Sequence, residues 1–277
     1  MTPRNGFRAR RIISHALLSL IAAAFLLPFV WMLVTSLKPT SEVFSTGASL
    51  TGSRLAWDNY SEAVEQIPLG RIILNSVIVA SCGALLTMLV SLLSAYAFAR
   101  LRFRFRDHLF MLFLGTLVLP QEVLVIPLYI GFQRLGLINS YVSLILPFAF
   151  GAFGTFLIRQ FVLSLPLEFE EAARIDGAGD LRILWSILIP LLRAPILVVG
   201  VFSFIDYWSS FLWPLIVLNN PNQLTLQVVL SQLQTAHGTD YGMVMMGAFI
   251  AVAPLLLIFV VGSRQFLSGL TEGAVKM

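Results

Sequence analysis

Long apolar runs separated by short polar stretches dominate the chain. A membrane-spanning helix needs about 20 mostly apolar residues, and six stretches are long enough. They predict transmembrane helices near residues 13–37, 72–99, 109–131, 141–164, 195–218 and 243–267. The pattern therefore predicts an all-α membrane protein with six transmembrane helices.

The first apolar stretch has an alternative interpretation as a cleaved signal peptide, because a cluster of arginines precedes it. Its apolar run is longer than that of a signal peptide, and no small-residue cleavage site follows it. We therefore expect a permanent span.

Composition supports a membrane protein and argues against two other classes. Of the residues, 58% are hydrophobic and 12% are charged, against roughly a quarter charged in an ordinary soluble domain. The arginines are dispersed and form no single basic face, which argues against a nucleic-acid partner. The histidines His15, His108 and His237 lack the spacing of metal ligands, so no metal site is expected.

Basic residues near the ends of spans predict the orientation, because such residues stay on the cytoplasmic side. One side carries most of them: Arg4, Arg8, Arg10, Arg11, Arg100, Arg102, Arg104, Arg106, Arg159, Arg174, Arg182, Arg193, Arg264 and Lys276. The other carries only Lys38, Arg54, Arg71 and Arg134. Both termini are thus predicted to be cytoplasmic: residues 1–12 form the N-terminus, 13–267 the six-span domain and 268–277 a tail.

Residues 165–193, between the fourth and fifth spans, form the most informative predicted cytoplasmic segment; we name it the 165–193 loop. Its first half predicts a short helix that begins near Glu168, where a run of acidic side chains complements the positive end of the helix dipole. Asp176 and Gly177 are predicted to end that helix. The loop is therefore expected to be folded.

The second half of the 165–193 loop predicts another short helix. Asp180 is a candidate N-cap, and Pro190 is expected to mark the end. Apolar residues recur between them at helical spacing: Leu181, Leu184, Trp185 and Leu188. An amphipathic hairpin at the lipid headgroups is an alternative interpretation of this pattern.

The motif in this loop resembles a known family signature. Glu171-Ala172-Ala173, followed by Gly177 after three residues, Ile187 after nine more and Pro190 after two more, resembles the EAA signature of ABC importer permeases. The wider region 156–195 is similar to the carbohydrate-uptake group, which includes maltose and glycerol-phosphate permeases. Further matching segments are residues 36–39, 59–60, 75–76, 126–129, 135–137, 211–215 and 269–276.

The resemblance implies a type I ABC importer permease fold in the bacterial inner membrane, with an EAA loop that docks on an ATPase. The implied coupling residues are Glu171, Ala172, Ala173, Arg174, Asp176, Gly177, Ile187 and Pro190. Glu171 would pair with a basic ATPase residue, and the two alanines would allow close approach. Tail residues would also contact the ATPase: Leu270, Thr271, Gly273 and Lys276.

The resemblance further implies the partners: a homologous second permease in a heterodimer, two ATPase subunits, an extracytoplasmic solute-binding protein and membrane lipid. The chain itself is predicted not to be an enzyme. A phosphate-binding P-loop requires a lysine after a glycine-rich turn, and neither lysine, Lys38 or Lys276, follows that pattern. We expect no cofactor in this chain, with ATP and Mg on the partner ATPase.

Ionisable residues at membrane depth are candidates for a solute pathway. Glu122 lies in a polar break of the third span, and Asp206 lies near Trp208 and Ser209 in the fifth, where the family commonly has Asn in place of Ser209. Aromatic and hydrogen-bonding groups together would suit a sugar. Hydrogen bonding between subunits, or a position near the outer membrane interface, is an alternative interpretation of both acids.

The predicted substrate is a sugar or oligosaccharide, with glycerol-3-phosphate or a related phosphodiester as the alternative. Two other classes fit less well. The sequence Gly177-Ala178-Gly179-Asp180 spells the GxGD motif of intramembrane proteases, but a loop aspartate and Asp206 would lie at different depths. A secondary transporter would require an inverted repeat, for which the sequence gives no convincing indication.

Overall fold

A computed structural model describes residues 4–43, 52–236 and 241–274. All regular structure in these ranges is helical, which confirms the predicted fold class. The α-helices are α1 Arg4–Ser36, α2 Asp58–Gln66, α3 Leu69–Arg100, α4 Arg106–Gly115, α5 Gln121–Arg134, α6 Tyr141–Ile145, α7 Ala152–Ser164, α8 Glu168–Ile175, α9 Asp180–Ile183, α10 Ile189–Leu191, α11 Arg193–Ser209, α12 Leu212–Val217, α13 Leu226–Ala236 and α14 Tyr241–Ala274. Short 3₁₀ turns occupy Thr40–Glu42, Thr116–Val118, Leu146–Phe148 and Pro221–Gln223, and Leu184–Leu188 is a π-helical turn.

Three helices in the described ranges are individually long and apolar enough to cross a membrane. These stretches are Arg10–Ser36 of α1, Leu69–Arg100, which is α3, and Tyr241–Val260 of α14. They coincide with the first, second and sixth predicted spans. The helix α14 continues to Ala274, so the predicted boundary between span and tail at residue 268 lies inside one helix.

The other candidate spans in the described ranges are bent helix pairs, which give up to six spans if each pair is counted as one. The third pair begins inside the 165–193 loop, and only its second helix overlaps the predicted fifth span. Arg106–Val118 and Gln121–Arg134 meet at 103°, Tyr141–Phe148 and Ala152–Ser164 at 46°, and Asp180–Leu191 and Arg193–Ser209 at 82°. The third predicted span, over 109–131, is therefore interrupted near Glu122, where the sequence predicts a polar break. Pro120 causes the break, because the residue before a proline is driven out of helical conformation; Leu119 is extended, with ψ 121°.

The predicted fifth span over 195–218 is also too long at its C-terminal end. The helix α11 ends at Ser209, and Ser210 has an extended conformation with ψ 127°. A separate short helix, α12, follows. The apolar pattern is continuous across this break, so hydropathy alone joins the two helices.

The chain divides into two compact units. The first comprises Met1–Leu69 with Leu230–Pro254, and the second comprises Gly70–Val229 with Leu255–Met277. The 165–193 loop and the membrane-depth acids Glu122 and Asp206 belong to the second unit.

Two of the segments that resemble the permease family meet within the first unit. The Asn59 side chain donates hydrogen bonds to the carbonyl oxygens of Ser36 and Lys38, at 2.9 and 3.0 Å. The hydroxyls of Ser36 and Tyr60 are 2.7 Å apart. These contacts bind the turn after α1 to the start of α2, because Asn59 satisfies carbonyls that the helix end leaves without partners.

The core of the second unit lies between the C-terminal half of α3, α7 and the 165–193 loop. Its small residues allow the helices to approach closely: Ser91 and Ala95 of α3 are fully buried. A side chain on Gly154 of α7 would lie 2.4 Å from the Ser91 hydroxyl oxygen. The apolar residues buried with them include Leu92, Ala99, Ile158, Val162, Ile183, Leu184, Leu188 and Leu192.

Asn75 and Ser76 connect the other end of α3 to the segment before α13. The Asn75 amide donates to the carbonyl oxygens of Asn222 and Leu224, both at 3.0 Å. The backbone N–H of Leu226 donates to the Ser76 hydroxyl at 2.8 Å. The α3 helix is therefore fixed by specific polar contacts at this end as well.

Candidate functional site

The first helix of the 165–193 loop, α8, ends as the sequence predicts. Asp176 is its C-cap, and Gly177 has a φ of +79°. The N–H of Ala178 bonds the carbonyl oxygen of Ala173 at 2.9 Å, and the N–H of Gly177 bonds that of Arg174 at 3.0 Å. This pair of bonds is the Schellman motif, which requires a left-handed residue at the glycine position.

A buried ion pair, which the sequence analysis missed, fixes α8 to the C-terminal end of α3. The Arg100 Nε atom donates to Glu170 Oε1 at 2.6 Å, and the two side chains are 7% and 5% exposed. An Arg100 Nη atom also donates to the carbonyl oxygen of Leu165 at 2.9 Å. The sequence interpretation used Arg100 only for topology and Glu170 only for the helix dipole. No local pattern pairs two residues that are 70 positions apart.

The second helix of the loop is rotated relative to the predicted face. Leu184 and Leu188 are buried as predicted, but Leu181 and Trp185 are 69% and 56% exposed. Ile183 takes a core position instead. The π-helical turn at Leu184–Leu188 explains part of the difference, because a turn of i→i+5 bonds shifts the residues that share a face.

The predicted N-cap of this helix is wrong. Asp180 does not cap it; the N-cap is Gly179 without a side-chain bond, and Asp180 instead accepts a hydrogen bond from Arg174 at 2.6 Å. The helical segment ends at Leu191, one residue after Pro190, close to the predicted end. A proline is tolerated there because it stands in the first turn of α10, where a missing N–H costs little.

The face of the loop that points away from the core carries most of the implied coupling residues. Glu171, Ala172, Arg174, Asp176, Gly177 and Pro190 are exposed, whereas Ala173 and Ile187 are half-buried. Ala173 packs against the core cluster together with Ala178. Ile175, on the outer face, is 86% exposed. The loop thus has one packed face and one open face with both charged and apolar groups.

The tail residues are described only in part. Leu270, Thr271 and Gly273 lie on the backbone of α14, and Lys276 lies outside the described residues. Their contact with an ATPase stays a prediction.

The membrane-depth acids line a cavity of about 460 Å³ within the second unit. Glu122, Asp206 and Ser209 all contribute to its wall. Aromatic residues form much of the remainder: Phe148, Phe153, Phe202, Tyr207, Phe211 and Trp213. Among the described residues that line this cavity, two are acidic and none is basic. The break before Gln121 and the end of α11 at Ser209 bring these residues together.

Trp208 is not part of this wall, contrary to the predicted pathway set. Its side chain is 2% exposed and stacks on Phe204, with ring centroids 5.9 Å apart and planes at 13°. Asp206 and Ser209, which line the cavity, lie on a different side of α11 from Trp208. Tyr207, which the prediction omitted, does line the cavity, and its hydroxyl donates to the carbonyl oxygen of Ile145 at 2.7 Å.

Comparisons with known proteins identify the family. Residues 87–266 match the model of the family described as "Binding-protein-dependent transport system inner membrane component". The chain belongs to this family. The resemblance of the chain to ABC importer permeases is thereby confirmed, and the protein is a multi-pass inner-membrane permease component of an ABC transport system.

Characterised relatives of this permease align along almost the whole chain. The lactose transport system permease protein LacG of Rhizobium radiobacter is 34% identical, over 96% of each chain. The sn-glycerol-3-phosphate transport system permease protein UgpE of Agrobacterium fabrum is 36% identical, over 95% of this chain and 96% of its own. The arabinooligosaccharides transport system permease protein AraQ of Bacillus subtilis is 32% identical, over 98% of this chain and 97% of its own.

A solved structure has the same fold as this permease. It is a crystal structure of a bacterial ABC transporter involved in the import of the acidic polysaccharide alginate. One of its chains aligns with a TM-score of 0.81 and 21% identity, over 96% of this chain and 99% of that chain. The type I importer permease fold is therefore confirmed by structure as well as by sequence.

Proposed function

We propose that this permease imports a sugar or oligosaccharide and that a separate ATPase, docked on the 165–193 loop, drives the transport. In this proposal the termini and the 165–193 loop face the cytoplasm, as the distribution of basic residues predicts. A second, homologous permease completes the pathway, two ATPase subunits bind ATP and Mg, and a solute-binding protein delivers the substrate from outside.

The observation that carries the docking proposal is the two-faced character of the 165–193 loop. One face is packed into the core of the second unit, while Ile175 and Trp185 on the other are 86% and 56% exposed. Exposed Glu171 lies on α8 one helical turn before Ile175. Apolar groups with a charged neighbour are typical of a protein contact, in which the charge sets specificity.

The cavity supports a neutral sugar as substrate. Sugars offer hydroxyl groups and apolar ring faces, and the cavity combines carboxylates and serine hydroxyls with aromatic rings. The described lining residues include two acids and no basic residue. The negative charge of these acids would repel an anion. LacG and AraQ, named for lactose and arabinooligosaccharides, are consistent with this substrate class.

Glycerol-3-phosphate is the second candidate substrate, because UgpE, named for its transport, is 36% identical to this permease. A phosphate ester would need basic or backbone N–H donors along the pathway. The described cavity offers carboxylates in their place. The second permease would therefore have to supply the basic side chains. The charge of the cavity therefore favours the neutral sugar.

Uptake by the complete importer in proteoliposomes tests the proposal. We expect ATP-dependent import of a neutral disaccharide, and no import when the ATPase is omitted. Uptake that persists without the ATPase would contradict the proposed mechanism. Import of glycerol-3-phosphate but not of the disaccharide would retain the mechanism and replace the substrate.

A charge reversal at the proposed docking face tests the role of the loop. Glu171→Lys is expected to lower the amount of ATPase that co-purifies with the permease, because it would put like charges together at the contact. Glu168→Lys is the matched control: Glu168 is also an exposed glutamate of α8, one helical turn away. Equal co-purification with both variants would contradict docking through Glu171.

A further inference from the structure

The C-terminal end of α3 contacts both helices of the 165–193 loop through two side chains one helical turn apart. Residues four positions apart lie on the same face of a helix, and Tyr96 and Arg100 have this spacing. Arg100 bonds Glu170 of α8, while the Tyr96 hydroxyl donates to Asp180 of α9 at 3.3 Å. The two contacts therefore share one face of α3.

The Arg100 contact orients α8 in two directions at once. Its Nε atom bonds the carboxylate of Glu170, and its Nη2 atom bonds the carbonyl oxygen of Leu165, before the helix begins. Bonds from one planar guanidinium to two points of the loop restrict both the rotation and the translation of α8 relative to α3. Arg100 thus fixes both the entry to α8 and its first turn.

The Tyr96 contact reaches Asp180 of α9, and Asp180 in turn joins the two helices of the loop. Asp180 accepts from Tyr96 and also from Arg174 of α8, with the Arg174 bond at 2.6 Å. Tyr96 is 5% exposed and belongs to the apolar core, so its ring is already fixed by packing. Its hydroxyl adds a polar contact at the start of α9.

Adhesion of the loop to α3 does not require these charges. The apolar cluster of Leu92, Ala95, Ile183, Leu184 and Leu188 already holds the loop to the core. A buried ion pair contributes little net stability compared with apolar groups of similar shape, because both charges lose their hydration. A directional role explains better why Arg100 and Glu170 stand there.

We propose that Tyr96 and Arg100 form a clamp that makes the 165–193 loop and the C-terminal end of α3 move as one body. A displacement of the loop by the ATPase then reaches α3 directly. Tyr96 and Arg100 are positioning residues in this proposal, and neither touches ATP or solute. The inference rests on the proposed docking of an ATPase on the loop.

The test uses the reconstituted importer, with import and ATP hydrolysis measured in the same proteoliposomes. Arg100→Gln and Glu170→Gln are each expected to lower the amount of solute imported per ATP by about two- to thirtyfold, the range expected for residues that carry coupling. Basal ATP hydrolysis by the assembled complex is expected to remain. The double variant is expected to lose no more than the single ones, because both substitutions break the same contact.

Two matched controls separate the clamp from a general effect of charge. Arg102→Gln removes an exposed arginine two residues beyond Arg100, and Glu168→Gln removes an exposed glutamate of α8. Both are expected to import as much per ATP as the unmodified permease. The proposal would be overturned if the control variants lost as much import per ATP as Arg100→Gln and Glu170→Gln. It would also be overturned if the losses of these two variants multiplied in the double variant.

A conservative variant covers the case in which the Arg100 and Glu170 variants fail to assemble. Tyr96→Phe removes one hydroxyl and keeps the packed ring, and it is expected to lower import per ATP in the same direction by a smaller factor. Unchanged import per ATP in Tyr96→Phe would then overturn the clamp.

The failure of the proposed function is distinguishable from the failure of the clamp. If the unmodified importer shows no ATP-dependent import, the proposed function fails, and hydrogen exchange on the isolated full chain then judges the clamp. Arg100→Gln is expected to speed amide exchange across residues 168–178 by about tenfold or more, and Arg102→Gln is not. Equal exchange rates in these two variants would overturn the clamp.

Discussion

Glu170 of the 165–193 loop and the two acids of the cavity have opposite environments within one unit of the chain. Glu170 is buried and lies 2.6 Å from Arg100. Glu122 and Asp206 are exposed to the cavity, and no basic side chain in the described ranges lies within ion-pairing distance of either. A paired buried acid holds two elements together, whereas an acid on a cavity wall is available to a solute.

The largest expected effect is a difference in stability between a variant that lacks the buried acid of the loop and one that lacks an acid of the cavity. Glu170→Ala is expected to destabilise the full chain by about 3–5 kcal/mol, because it leaves the Arg100 charge buried without its partner. Asp206→Ala is expected to change stability by only about 0.5 kcal/mol, as an exposed group does. Thermal unfolding in detergent measures both, and equal shifts in midpoint would contradict the distinction.

The next effect concerns the close approach of α3 and α7 beneath the loop. Gly154→Ala is expected to cost about 1–3 kcal/mol, because the new methyl group would lie 2.4 Å from the Ser91 hydroxyl oxygen and 2.9 Å from Val199 Cγ1. Gly131→Ala in α5 is the control, since no atom lies within 4 Å of the methyl position there. The same unfolding assay measures both variants. A Gly154→Ala chain as stable as the control would show that α3 and α7 do not need this approach.

A smaller effect is expected at the turn between the two helices of the loop. Gly177→Ala is expected to cost about 1–2 kcal/mol, because its φ of +79° is strained for any residue with a Cβ atom. Gly179→Ala is a matched control: its methyl position is equally open, but its φ is −78°. Amide exchange at residues 177 and 178 should be faster in the first variant alone, and the same change in both would argue against the strained turn.

The sequence predicts much of the fold because span length, basic charge and the loop motif are local properties. The six apolar stretches and the end of α8 at Gly177 follow from such patterns. The π-helical turn at Leu184–Leu188 does not follow from them. A π-helical turn changes which residues share a face of the helix, and hydropathy does not record that change.

The candidate sites were predictable to different degrees. The exposed face of the 165–193 loop follows from its signature, and Glu122, Asp206 and Ser209 could be selected because polar groups are rare at membrane depth. The burial of Trp208 and the pairing of Arg100 with Glu170 could not be selected in this way. The ion pair is set by a contact between segments that are distant in sequence, and the burial of Trp208 is set by the direction of one side chain.

The most direct test of the central claim compares Glu170→Gln with Asp206→Asn in the same reconstituted importer. Two quantities are measured: solute imported per ATP, and the ratio of import rates for a neutral disaccharide and an anionic sugar phosphate. Glu170→Gln is expected to lower the first quantity and leave the second unchanged. Asp206→Asn is expected to leave the first unchanged and to shift the ratio towards the anion, because a repelling charge is removed. If both variants alter the same quantity, the division between a coupling region and a solute cavity is contradicted.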